Sequence, residues 1–312
     1  MTRASAEVTT QGVSWRLRVA GGFALGIVGI SFAALFVRWA LPAPPVVTAF
    51  WRMAISSALL AGWFGLRRDA LLPEGRARWY ALLAGACFGT DLALWNTAIV
   101  MTSLANSTFL VNTTPIYVGI FSFWALGERP GGRFVWGALL ALAGTAFLVG
   151  ADWGGPEAVR GDALALAAAL FYSGYLLLMK AVRRSQQTAP ALLGVGVGAT
   201  GVLLLYALVR GDPLTGFPAS SWLAFVGAAV IAQLGGVMCV VWSLRYLRAS
   251  FASLALLAQP AGTTLLGWLW MGESLSPTQA LGAAAVGAGI ALASGLAADP
   301  EAQENLRSSH QG

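Results

Sequence analysis

Ten runs of roughly 20 apolar residues, divided by short polar or glycine- and proline-rich stretches, organise the chain. They lie at roughly 19–39, 46–66, 79–99, 103–126 and 132–150, then at 161–181, 190–209, 220–244, 250–271 and 278–297. A helix of this length crosses the hydrocarbon core of a bilayer. The period-two alternation of a membrane barrel is absent, and a helix is then the way to satisfy every backbone group in lipid. The pattern predicts an all-α membrane protein with ten transmembrane helices.

Composition agrees. Of the 312 residues 57% are hydrophobic and only 10% charged, with a mean hydropathy of +0.71. A water-soluble domain carries roughly a quarter charged residues, so the solvent for most of this surface is lipid. The net charge of +6 does not point to nucleic acid, because the basic residues form no continuous face. They fall between the apolar runs instead. Fifteen lie on one side: Arg3, Arg16, Arg18, Arg67, Arg68, Arg76, Arg78, Arg129, Arg133, Lys180, Arg183, Arg184, Arg245, Arg248 and Arg307. Only Arg160 and Arg210 lie on the other, while Arg38 and Arg52 sit within or at the edge of runs. The positive-inside rule then places both termini in the cytoplasm.

An internal repeat refines the architecture. Shifted by 145 residues, the stretch 101–150 aligns without a gap and with nine identities. Pro115 falls on Pro260, Gly127-Glu128 on Gly272-Glu273, Gly137-Ala138 on Gly282-Ala283, and Ala143-Gly144 on Ala288-Gly289. Each half holds five spans. An odd number starts the second half on the opposite side of the membrane, which gives two inverted-topology repeats. The expected organisation is a cytoplasmic segment 1–18, a first repeat 19–150, a periplasmic linker 151–160, a second repeat 161–297 and a cytoplasmic tail 298–312.

The segments Pro115-Ile116-Tyr117 through Gly127-Glu128-Arg129 and Gln259-Pro260-Ala261 through Gly272-Glu273-Ser274, each followed by a glycine-rich helix, resemble the EamA repeat of the drug/metabolite transporter superfamily. Within that family the chain looks most like the YddG-type aromatic amino-acid exporters. The resemblance implies a ten-helix basket. Spans one, three and four and their counterparts six, eight and nine would surround a cavity, with five and ten behind. It also implies a secondary transporter that moves a small organic solute by alternating access across a bacterial inner membrane, and a monomer would suffice.

Polar groups inside spans mark the candidate site. Asp91 is the only carboxylate well inside a run. It would bind a substrate ammonium group or carry a proton; the structural alternative is pairing with Arg38 or Arg52, or bonding a neighbouring helix. Trp95 lies one turn beyond and Phe88 shares the face, so an aromatic wall could flank the carboxylate. Asn106, Phe109, Asn112, Thr113 and Ile116 form a stripe in span four, either cavity lining or helix-to-helix glue. Phe171, Tyr175 and Met179 form another in span six, with Tyr172 beside it. Gln233, Trp242 and Gln259 complete the candidates, with Ser31 weaker. Pro115 and Pro260 would kink spans four and nine at matching places. Glu128 and Glu273 resemble the family's paired glutamates, yet each stands in a short turn before a helix, where a negative charge meets the positive helix end. After Glu273, Ser276-Pro277-Thr278-Gln279 has the form of a capping box.

Other functions fit less well. No nucleotide-binding motif is present, so transport would be passive or coupled to protons, without cofactor. An intramembrane enzyme needs a nucleophile or metal, but histidine is absent from every run, and the two cysteines and one tail histidine form no metal spacing. Drug efflux by the same fold is the nearest alternative; the small multidrug members of the superfamily carry a glutamate in their first helix, and the first run here has no acid. A channel would gain little from inverted halves.

Overall fold

The computed structural model describes residues 3–67, 72–102, 104–150, 158–272 and 275–294. Glu273, most of the linker and the tail lie outside the described residues, as does the side chain of Asn106. Among the described residues there is no β-strand. Thirteen α-helices and one π-helical segment build ten rods.

Spans one to three are α1 (Arg3–Trp39), α2 (Pro45–Arg67) and α3 (Arg76–Met101). Span four is α4 (Leu104–Val111) with α5 (Thr114–Leu126), and span five is α6 (Gly132–Val149). Spans six and seven are α7 (Val159–Ser185) and α8 (Thr188–Arg210). Span eight runs from α9 (Ala219–Gly227) through the π-helical segment Ala228–Val237 into α10 (Met238–Leu244). Span nine is α11 (Ala249–Ala255) with α12 (Ala258–Met271), and span ten is α13 (Pro277–Ala293). Eight of the ten are long and apolar enough to cross a membrane on length and composition alone. The remaining two are α13, at 17 residues, and α3, whose interior carries Asp91, Trp95 and Asn96. The first rod differs from expectation: α1 begins at Arg3, although its apolar part starts at Leu17.

The two spans with a proline in their interior, Pro115 in the fourth and Pro260 in the ninth, are each broken just ahead of it. Pro115 has no N–H, and its ring excludes the carbonyl four residues back. The chain between α4 and α5 closes with tight turns, Thr113 N–H to Leu110 O (3.1 Å) and Ile116 N–H to Thr113 O (2.9 Å). A hydroxyl occupies the carbonyl that Pro115 leaves free, Thr114 Oγ1 donating to Val111 O (2.7 Å), and Thr113 Oγ1 adds a second donor to Leu110 O (2.6 Å). The break between α11 and α12 precedes Pro260 in the same way, with Leu257 N–H to Leu254 O (3.0 Å) and Gln259 N–H to Leu256 O (2.9 Å). Both broken spans end on a left-handed glycine, Gly127 (φ 69°) and Gly272 (φ 68°), a conformation open to a residue without Cβ.

The helices pack across the halves in exchanged pairs. The third span lies on the sixth and seventh, and the eighth lies on the first and second. The fourth packs on the sixth, the ninth on the first, and the fifth directly on the tenth. Swapping the halves leaves this pairing unchanged, which is what a two-fold axis relating inverted repeats requires. Glycines at the axis show the symmetry at atomic scale. A Cβ on Gly137 would lie 2.6 Å from the carbonyl oxygen of Gly289, and one on Gly144 would lie 2.6 Å from that of Gly282. The reciprocal distances are 2.5 and 2.6 Å. Gly137 is the repeat counterpart of Gly282, and Gly144 that of Gly289. Only glycine permits this backbone approach.

Candidate functional site

The third span carries the centre of the site. Wedged between α7 and α8, α3 buries Asp91 to 6% exposure. One turn before it, Phe88 meets the stripe on α7. Its ring stacks on Tyr175 with centroids 4.7 Å apart and stands 6.2 Å from Tyr172. Tyr172 and Tyr175 stack on each other at 5.7 Å. The spacing explains the assembly, because residues three apart on a helix share a face. Tyr175 is only 3% exposed.

From α2, Arg52 completes the cluster. Its guanidinium carbon stands 5.7 Å from the centre of the Phe88 ring. Arg52 and Asp91 lie within each other's electrostatic reach, and Tyr172 and Tyr175 lie within that of Arg52. Arg52 Nε, Asp91 Oδ1 and Trp95 Nε1 are buried with no hydrogen-bond partner. Polar atoms withdrawn from solvent inside the spans cost several kcal/mol each when unmatched, so a buried guanidinium and a buried carboxylate with unused hydrogen-bonding capacity are candidates for holding a ligand. From the sequence alone Arg52 stands only as a structural partner for Asp91. The signal that could have singled it out is its place well inside an apolar run, where almost every other arginine is in a loop.

The other candidates disperse. Phe171 is 39% exposed and, among the described residues, joins none of these ring contacts. Phe109 is half-buried on α4. Asn112 Nδ2 donates to Thr108 O (2.7 Å), so Asn112 and Thr113 both bond the backbone around the helix break. Gln233 is buried in the π-helical segment, with Oε1 unpartnered. π-Helical turns recur at functional positions. Gln259 ties the ninth span to the first: its backbone oxygen accepts from Ser31 Oγ (3.3 Å), and its Nε2 donates to Ile30 O (3.5 Å). Trp242 packs edge-on against Trp15 (6.0 Å) and Tyr246 (5.4 Å) near the end of α10.

That end of span eight is held by charge. Lys180, fully buried, donates from Nζ to Leu244 O (2.8 Å), Leu247 O (2.6 Å) and Arg245 O (3.4 Å). Arg183 Nε donates to Val241 O (3.2 Å). Arg183 reads from sequence as a topology anchor, but α7 runs on to Ser185 and buries it together with Lys180 against α10. Glu128 also differs from expectation. It caps the start of α11 in the other repeat rather than the helix that follows it in the chain, accepting from Ala249 N–H (2.7 Å), Ser250 N–H (3.1 Å) and Ser250 Oγ (2.8 Å). Its repeat counterpart Glu273 lies outside the described residues. The capping box beyond forms, with Gln279 N–H to Ser276 Oγ at 3.2 Å and Ser276 N–H to Gln279 Oε1 at 3.0 Å.

Two consecutive stretches, residues 19–150 and 159–295, match the EamA-like transporter family. The chain belongs to that family. Its relatives include the uncharacterized transporter YwfM of Bacillus subtilis (strain 168), 27% identical over 86% of this chain and 89% of that protein. Another is the aromatic amino acid exporter YddG of Ancylobacter novellus, 29% identical over 65% of this chain and 71% of that protein. A crystal structure superposes with a TM-score of 0.76 over 89% of this chain and 98% of the other. Sequence identity there is 23%, so the likeness is one of fold. Family membership makes the protein a multi-pass transporter with a small-molecule substrate.

Proposed function

We propose that this EamA-family transporter exports amino acids with aromatic or other apolar side chains across the bacterial inner membrane, by alternating access and with both termini in the cytoplasm. The observation that carries the reading is Asp91, buried beside the Phe88–Tyr172–Tyr175 stack with a carboxylate oxygen unpartnered. A carboxylate against aromatic faces attracts an ammonium group on an apolar body. The likeness to an aromatic amino acid exporter supports this, and the distribution of arginines supports the orientation.

The same carboxylate and rings also suit an organic cation without a carboxyl group, which is the drug-efflux alternative. Uptake of labelled phenylalanine into proteoliposomes of the purified protein tests the reading, with and without an imposed pH gradient. Uptake above empty liposomes, competed by tryptophan, is expected. Acceleration by the gradient that disappears in Asp91→Asn would identify Asp91 as a proton carrier. Transport of organic cations without transport of any amino acid would replace this reading with efflux.

A further inference from the structure

Resting on the amino-acid reading above, we propose that Arg52 and Asp91 are the two poles of one zwitterion site. Arg52 holds the substrate carboxylate, Asp91 holds the α-ammonium group, and the stack of Phe88, Tyr172 and Tyr175 receives the side chain.

Depth favours the assignment. Arg52 lies seven residues after the start of α2 at Pro45, and Asp91 lies ten before the end of α3 at Met101. Those two helix ends belong to antiparallel neighbours and face the same side. At helical rise the two charges sit about 10–15 Å in from that side, at matching depth.

Chemistry favours it too. A buried ion pair kept only for structure saturates its hydrogen bonds, because each unmatched polar atom is costly. Here Arg52 Nε and Asp91 Oδ1 both stay unpartnered, and the indole Nε1 of Trp95 adds a third unused donor one turn from Asp91. The guanidinium lies over the Phe88 ring. A guanidinium is a planar fork of N–H donors, which matches the geometry of a carboxylate, and Arg52 Nε is free to take part. An α-amino acid presents an acceptor and a donor of opposite charge on adjacent carbons, matching the two poles. A plain amine would leave Arg52 buried and unmatched, so the site would discriminate against it.

The test compares phenylalanine with phenylalaninamide, which lacks the carboxylate, and with N-acetylphenylalanine, which lacks the ammonium. Each is measured as a competitor of labelled phenylalanine uptake in proteoliposomes. The wild-type protein is expected to prefer phenylalanine over both by roughly 10- to 100-fold, the range of one lost charged hydrogen-bond set. Arg52→Gln should erase the preference over the amide while retaining that over the N-acetyl compound. Asp91→Asn should do the converse. Arg52→Lys, which keeps the charge without the planar fork, serves if Arg52→Gln does not fold, and should reduce the preference over the amide.

A wild-type protein that transports phenylalanine but treats the amide equally overturns the two-pole site and leaves amino-acid transport standing. So does an undiminished preference over the amide in a folded Arg52 variant. Failure of every amino acid to move overturns the transport reading itself, and the zwitterion site with it.

Discussion

The carboxylate of Glu128, in the turn after span four, accepts a hydrogen bond from the backbone N–H of Ala249 at 2.7 Å, the first residue of span nine in the opposite repeat. The second oxygen takes both the N–H and the hydroxyl of Ser250. A negative charge thus meets the positive end of α11 with the otherwise unpaired amides of its first turn. On the other side of the same turn Lys180 takes the carbonyl of Leu244, the last residue of α10, and that of Leu247 in the turn itself. The connection between spans eight and nine is therefore gripped at both ends, by an anion on its amides and a cation on its carbonyls.

The grip predicts a large response to charge removal. Glu128→Ala should destabilise the detergent-solubilised protein by about 1–3 kcal/mol, since buried amides lose a charged acceptor. Glu128→Gln should lie between, because an amide oxygen keeps one acceptor without the charge. Melting temperatures by tryptophan fluorescence measure both. An unchanged Glu128→Ala protein would show that the turn is held by packing alone.

Lys180→Met removes a buried cation of similar length and leaves three carbonyls without their donor. A loss of about 2–4 kcal/mol is expected. Arg184→Met, on the exposed flank of the same helix, is the control and should change stability little. Equal effects at the two positions would remove Lys180 from any special role.

The difference between these basic residues was not legible in the chain. Lys180, Arg183 and Arg184 all follow an apolar run and all obey the positive-inside rule. Which of them turns inward depends on how far α7 continues and how it rotates against α10, and a single amphipathic pattern does not fix either. Glu128 hid for the same reason, because its partner is 121 residues away. Hydropathy, by contrast, marks each span from its own residues, so the ten rods and the breaks before Pro115 and Pro260 could be read locally. The site divides along the same line. Phe88, Asp91 and Trp95 share one helix face and were readable together, as were Tyr172 and Tyr175. That Arg52 joins them from α2 is a tertiary fact.

The aromatic stack predicts a graded response in transport. Tyr175→Phe keeps the ring against Phe88 and should retain most uptake. Tyr175→Ala removes one face of the stack and should lower uptake about tenfold, the scale of one aromatic contact pair with its buried area. Initial rates in proteoliposomes separate the two. Equal loss in both variants would assign the hydroxyl, rather than the ring, to the substrate.

Pro115→Ala restores an N–H whose natural acceptor, Val111 O, is taken by Thr114 Oγ1. A continuous span four would compete with the break, so the variant should fold yet transport several-fold more slowly if the two broken spans bend during the cycle. Pro260→Ala should behave alike, as its repeat counterpart. Full transport in both would make the prolines passive.

The glycines of span ten supply the sharpest contrast. Gly287 and Gly289 are two residues apart on one helix and would look interchangeable by composition. A Cβ at Gly289 would lie 2.5 Å from Gly137 O and 2.8 Å from Ala141 N, both backbone atoms that cannot move aside cheaply. At Gly287 nothing lies within 4 Å. Gly289→Ala must push the fifth and tenth spans apart and should cost about 1–3 kcal/mol, the range of overpacking in a close-packed interior. Gly287→Ala should be neutral or slightly stabilising, because alanine is the better helix former. Thermal unfolding of the two variants side by side decides. If they melt together, close contact at the two-fold axis does not hold the halves, and the inverted repeats are joined chiefly through the third and eighth spans.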